Sequence, residues 1–301
     1  LAFPLLKELT EVGDPLAKRV FKSEIVKRFE EGNEKTRYYL ELEGFLQYLT
    51  IEEHLDLLLG AEDLIPLKEL AEEVWPHRDP YEVIFMVMGN RIKLENRKVI
   101  DLSLGHLKLS EFPKVILNLT DLRVLSLRVN KIKDIPEKIN KLSSLKELWL
   151  GSNELSYLPE SICEITSLEA LWLDQNKITY LPKGFGNLEN LKVLRLIGNR
   201  LQIIPPSFFK LSSLEHLDLS NNNLKDLPHS FCSLKSLKWL SLSSNNLKKL
   251  PECIKNLKSL EHLDVKGNPL VKNPEIVEKL KKLKIKEIIG IKRKPKSFRI
   301  F

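Results

Sequence analysis

The sequence predicts an α/β solenoid: short parallel strands stacked into a concave β-sheet, preceded by an α-helical N-terminal region. Three observations predict it. Asparagines stand at 130, 153, 176, 199, 222, 245 and 268, each 23 residues after the last. Leucines precede every one of them by eight, five and three residues, as Leu145, Leu148 and Leu150 precede Asn153, with Val265 the one substitution. A proline follows the first six asparagines by six residues, from Pro136 to Pro251. Units of this length cannot bury their apolar face alone, but stacked copies share one continuous core.

Taken in chain order, residues 1–80 read as a helical region or cap. "DPLAKRVFKSEIVKRFEEG" (14–32) has an acidic start, a proline in the first turn and a closing glycine. "EKTRYYLELEGFLQYL" and "TIEEHLDLLLG" follow, the second with Thr50 and Glu53 spaced as a capping box. "LIPLKELAEEVW" adds one more helix. These short amphipathic segments carry no catalytic constellation, which suits a cap or an interaction module. After the break "WPHRDP", the stretch "YEVIFMVMGNRIKLENRKVIDLSL" alternates and turns near Glu95 to Arg97. It predicts a β-hairpin over 81–98 that delivers the chain into the repeats.

Residues 99–270 hold eight repeats. The first, "VIDLSLGHLKLSEFP", is divergent and has Leu107 in the asparagine slot. The asparagine amide can both donate to and accept from backbone where the chain leaves the strand, and the proline lies outside the sheet ladder. Phe185, Phe208 and Phe231 share one slot and are expected to stack on the convex side. Residues 271–301 form a basic C-terminal cap and tail: "NPEIVEKLKKL" reads as an amphipathic helix, "KIKEIIGI" as a strand, and "KRKPKSFRIF" as a basic run.

This pattern resembles the leucine-rich repeat family in its 23-residue LxxLxLxxNxLxxLPxxIxxLxx form, the form of Ras-suppressor-type proteins and scribble-type scaffolds. The resemblance covers about residues 99–270. It implies a horseshoe with 3₁₀ or irregular segments on the convex side, and it raises a small GTPase as a candidate partner. The matched positions are structural, so no binding residue carries over with them.

Binding residues must be read from strand geometry instead. Alternate side chains of a strand face opposite sides, so Leu148 and Leu150 point inward while Glu147, Trp149 and Gly151 point out over the sheet. Across the repeats this places Trp149, Trp172, Arg195, Asp218 and Asp264 in one outward row. Glu147, His216, Trp239 and His262 fall in a second, and Arg128 and Asp174 in a third. Three of the four tryptophans thus fall on one exposed face. A solvated face disfavours tryptophan, and Trp and Arg are the residues enriched at binding hot spots. The expected function is therefore a non-catalytic scaffold that grips a protein partner on this face, with Trp149, Trp172 and Arg195 as anchors. The competing reading is internal: an aromatic ladder that stiffens the sheet.

Other chemistries find little support. His216 and His262 are two repeats apart, too far for ring nitrogens that must sit about 2.0–2.1 Å from zinc, so no metal and no cofactor is expected. No phosphate-binding glycine loop, zincin motif or nucleophile elbow occurs, and an enzyme is not expected. The three cysteines are odd in number, and Cys163 and Cys232 share a slot three repeats apart, so reduced thiols are expected. With no apolar run long enough for a membrane span and no leader, a cytoplasmic location is the expectation. The formal charge of +7 is unevenly spread: residues 271–301 hold 11 basic and 3 acidic side chains, the other 270 hold 37 and 38. Contact with nucleic acid or an anionic membrane through the basic C-terminus is the alternative function, and a regulatory part of a larger protein is a further one.

Overall fold

The computed structural model describes residues 2–291, in two compact units, Leu1–Val99 and Ile100–Phe301. The basic run at 292–301 lies outside the described residues.

The first unit is helical: α1 (Ala2–Glu11), α2 (Pro15–Glu31), α3 (Glu34–Leu42), α4 (Ile51–Leu58), α5 (Ala61–Val74) and α6 (Pro80–Val87), with a 3₁₀ turn at Phe45–Tyr48. Its helices begin where the sequence places N-caps. Asp14 accepts from the Ala17 N–H at 2.8 Å, and Thr50 and Glu53 form the reciprocal capping box. Gly44, with φ of 68°, ends the α3 stretch where an L side chain would be strained. Phe3, Phe21, Ile25, Phe29, Leu40 and Phe45 pack into one apolar cluster. Burying each such side chain contributes roughly 1.5–3 kcal/mol.

The hairpin differs from expectation. Residues Pro80–Val87 are helical, and only β1 (Ile92–Glu95) and β2 (Lys98–Ser103) form strands, joined by Asn96 and Arg97 at φ of 51° and 65°. Asp79 caps α6 by accepting from the Glu82 N–H at 3.0 Å, and Pro80 opens its first turn. The segment "WPHRDP" is therefore a helix start as well as a break, and local capping outweighs the alternation of "YEVIFMVM".

In the second unit the strands follow in sequence order: β3 (Val124–Ser126), β4 (Glu147–Trp149), β5 (Ala170–Trp172), β6 (Val193–Arg195), β7 (His216–Asp218), β8 (Trp239–Ser241), β9 (His262–Asp264) and β10 (Glu287–Ile289). From β2 to β10 every neighbouring pair is parallel. The inward leucines, such as Leu125, Leu148, Leu171 and Leu194, are fully buried. Each asparagine ties two repeats together. The Asn153 amide nitrogen donates to the carbonyls of Leu127 and Leu150 at 2.9 and 3.0 Å, and its oxygen accepts from the Ile132 N–H at 3.1 Å. The divergent first repeat is held by Asn130 of its neighbour, whose oxygen accepts from Leu107 and Leu109. On the far side a 3₁₀ turn follows each proline, whose carbonyl accepts the first bond, as Pro136 does from Ile139 at 3.0 Å. After the last repeat come α7 (Pro274–Lys281), capped by Asn273, and β10.

Two convex-side expectations are corrected. Phe185 and Phe208 do stack, 5.8 Å apart, but Phe231 meets the edge of Phe209 at 6.1 Å instead of continuing the stack. Cys232 and Cys253 form a disulfide with Cα atoms 5.9 Å apart, so they are not reduced thiols. The two lie in the 3₁₀ turns His229–Ser233 and Glu252–Asn256 of consecutive repeats. Repeat register alone does not show them as neighbours, because they occupy different slots of adjacent turns. Cys163 is a buried free thiol, pushed up to about 12 by burial and by the nearby Glu160 and Glu164.

Candidate functional site

The parallel register sets the outward residues into rows. Ser126 pairs with Trp149, Trp149 with Trp172, Trp172 with Arg195, and Arg195 with Asp218. Beside this row run Glu147, Ala170, Val193, His216, Trp239 and His262. Strand spacing of about 4.8 Å makes each side chain the neighbour of the next. The indole rings of Trp149 and Trp172 lie 4.3 Å apart at 35°, both half-buried. Glu147 fixes the pair from one end, accepting from the Trp149 Nε1–H at 3.1 Å.

Arg195 is exposed, and its Nε lies 3.1 Å from a carboxylate oxygen of Asp174. The other oxygen of Asp174 accepts from the Ile197 N–H at 3.1 Å. Burial pushes the Asp174 carboxyl above its ordinary range; Arg195 and the Ile197 N–H pull it down, and the charge of Asp218 adds to the rise. Asp218, only 7% exposed, accepts from the backbone and hydroxyl of Ser220, and that hydroxyl lies 2.5 Å from the Ser241 Oγ. Trp172, Val193, Arg195, His216, Asp218 and Trp239 line a hollow of about 710 Å³ between two tryptophan walls.

The remaining predicted residues lie toward the ends of the sheet. His262 Nδ1 is 3.0 Å from a carboxylate oxygen of Glu287, and Asp264 accepts from the Lys266 N–H at 2.8 Å. Arg128 is exposed beside Gly105, where an added methyl group would come within 3.2 Å of the Arg128 Cγ. The hydroxyls of Ser220, Ser241 and Ser243 bond among themselves, while His262 bonds to Glu287. Among the described residues no group of three His, Cys, Asp or Glu is placed to hold a metal ion.

One residue of this surface, Glu287, and one strained residue at a strand exit, Val129, are not read from the sequence. Glu287 joins the surface through β10, which pairs with β9 at a spacing of 25 instead of 23 and so falls out of the repeat frame. Its signal was the alternation of "KIKEII". Val129, 41% exposed at the strand end, sits at φ of 56° in a slot where other repeats place Ser152, Gln175, Gly198 or Asn221. A β-branched residue in that slot was visible by alignment of the repeats.

Comparison with known families agrees with this architecture. Residues 88–204 match a leucine-rich repeat region, and residues 189–247 and 225–270 match the leucine rich repeat family. The chain belongs to the leucine-rich repeat proteins. No curated protein matches it. Among solved structures, this leucine-rich repeat protein is similar to one from Leptospira interrogans, at 31% identity over 69% of the chain and TM-score 0.58. It is also similar to the Arabidopsis thaliana receptor kinase ectodomain GASSHO1/SCHENGEN3, at 26% identity over 68% of the chain and TM-score 0.60. A Listeria monocytogenes internalin matches at 26% identity over 61%, TM-score 0.53. The matches span 57%, 26% and 52% of those three chains respectively.

Proposed function

We propose that this leucine-rich repeat protein is a non-catalytic scaffold that binds a protein partner across strands β4 to β8. The observation that carries the reading is the placement of Trp149, Trp172 and Trp239 on one outward face, two of them paired 4.3 Å apart and the third across an open hollow. Large aromatic surface left at a solvent face is what a hot spot requires. The aromatic-ladder alternative accounts for the Trp149–Trp172 pair but not for Trp239, three strands away. The Arabidopsis ectodomain, similar in fold, was solved in complex with CASPARIAN STRIP INTEGRITY FACTOR 2, which supports a polypeptide ligand for the repeats. A small GTPase enters only through the resemblance to Ras-suppressor-type repeats. The Cys232–Cys253 bond favours an oxidising compartment over the cytoplasm, since disulfides persist where thiols are not kept reduced.

The test compares what wild type and a Trp149→Ala/Trp172→Ala variant retain from native lysate or culture fluid, by mass spectrometry, with thermal melts alongside. Hot-spot truncations cost about 2 kcal/mol or more each. A concave-face partner is lost from the variant while the melting point barely moves. Unchanged retention with a much lower melting point would assign the tryptophans to internal packing.

A further inference from the structure

The charges of the repeats are handled in two different ways. Along the flank just before the strands, Lys146, Glu169, Lys192, Glu215, Lys238 and Glu261 alternate in sign, one per repeat. They neutralise each other across repeats: Glu169 meets Lys146 at 3.7 Å and Lys192 at 2.7 Å, Lys238 meets Glu215 at 2.7 Å, and Lys286 meets Glu261 at 2.7 Å. That flank satisfies itself. The outward face of the strands pairs Asp174 with Arg195 and His262 with Glu287, but holds other carboxylates on neutral donors.

There Glu147 is held by a tryptophan N–H, Asp218 by a serine amide and hydroxyl, and Asp264 by a backbone N–H. All of these donors are neutral, so they position the carboxylates without bringing a cation to them. The one guanidinium among the tryptophans, Arg195, is already paired with Asp174. Between Trp149 and Trp239 the outward face therefore carries three carboxylates, Glu147, Asp174 and Asp218, against the single guanidinium of Arg195. The wider pattern agrees. With Asp101 of the first repeat and Lys266 of the last included, the three outward rows hold five carboxylates against three Lys or Arg, whereas the rest of residues 100–270 hold 13 against 20. An acidic, aromatic strip runs through an otherwise basic solenoid. Tryptophan faces are themselves electron-rich and attract cations.

Building on the concave-face reading, we infer that the partner is an extended, cationic segment of polypeptide. A bulky apolar side chain fills the hollow between Trp172 and Trp239. Lysine or arginine side chains flanking it meet Glu147 and the exposed ring faces of the Trp149–Trp172 pair. Charge complementarity of this kind sets partner choice and association rate more than raw affinity.

The experiment selects a displayed library of random linear peptides on the wild-type protein, with counter-selection on the Trp149→Ala/Trp172→Ala variant. Enriched peptides are then titrated by intrinsic tryptophan fluorescence against wild type and Glu147→Lys. Enrichment in Lys or Arg around an apolar residue is expected, with binding roughly tenfold weaker in Glu147→Lys. Affinity should also fall as added salt shortens the Debye length to about 3 Å. Peptides that are acidic or uncharged, or that ignore Glu147→Lys, overturn the cationic partner while leaving the concave site in place. Peptides that bind the double-tryptophan variant equally well, or none that distinguish it, overturn the concave site itself.

Discussion

Val129 is the outlier among the residues that end the strands. The left-handed region costs an ordinary L residue about 1–2 kcal/mol, and a β-branched side chain there is a conformational outlier. Val129→Asn is expected to stabilise the protein by about 1 kcal/mol in thermal or denaturant melts; an unchanged or lower midpoint would show that the isopropyl group packs usefully in place. The opposite sign is expected at the repeated asparagines. Asn176 donates to the Leu150 and Leu173 carbonyls and accepts from Leu155 in the interior, so Asn176→Ala leaves buried backbone groups unpaired. A loss of about 1–3 kcal/mol should follow. A shift in melting point no larger than that of a surface substitution would contradict this account. At this scale the sequence was informative wherever a residue recurred. The asparagine role and the outward rows were readable because one geometry is written seven times. The hydrogen bond from Trp149 to Glu147 and the Arg195–Asp174 pair were not, because rotamers are chosen by packing.

At the scale of elements, the alternating flank makes a prediction about pH. Hydrogen bonds from Lys192, Lys238 and Lys286 hold Glu169, Glu215 and Glu261 below the ordinary carboxylate value of 4.5. A lowered folded value means that the unfolded chain takes up protons first. The stabilisation is therefore present above about pH 4.5 and lost as pH falls through the lowered folded values. Lys192 shifts up from 10.5 through Glu169, so its share is present below that value and lost as pH rises through the raised one. Replacing the three glutamates by glutamine should shallow the acid limb of a stability–pH profile, a small effect because the groups are exposed. An identical acid limb would remove the flank from the stability of the fold. A second element-scale prediction concerns the two convex turns joined by the disulfide. Closing a loop over a sequence separation of 21 stabilises by roughly 3 kcal/mol in the chain-entropy picture. Reductant, or Cys232→Ser with Cys253→Ser, should lower the melting point, and an unchanged melt in reductant would argue that the bond does not form. α6 shows how an element can be misread. Its apolar residues alternate over a few positions, but a capped start at Asp79 and Pro80 gives the backbone a helical route that periodicity alone does not rank.

For the whole molecule, the solenoid is close to one-dimensional: each repeat contacts its neighbours, and the sheet grows strand by strand in sequence order. A surface built this way is long and shallow, suited to an extended ligand instead of an enclosed one. The alternative function expected from the sequence, attachment through the basic run at 292–301, is tested by removing that run. Deleting it should abolish any strongly salt-dependent binding to nucleic acid or anionic vesicles and leave peptide binding at the tryptophans intact. Loss of both on deletion would join the tail to the concave site.

The sequence by itself determined the repeat, its period, the inward leucines and the identity of every residue on the outward face of the repeats. The reason is steric: one strand alternates, one asparagine slot marks each exit, and stacking copies the result. Tertiary structure alone decided which of those residues act together. Pairing of Cys232 with Cys253, recruitment of Glu287 through a strand outside the repeat frame, and a hollow walled by Trp172 and Trp239 all depend on distances between side chains of different repeats. A period along the chain fixes order and direction. How far apart two side chains come to rest is set by packing across repeats.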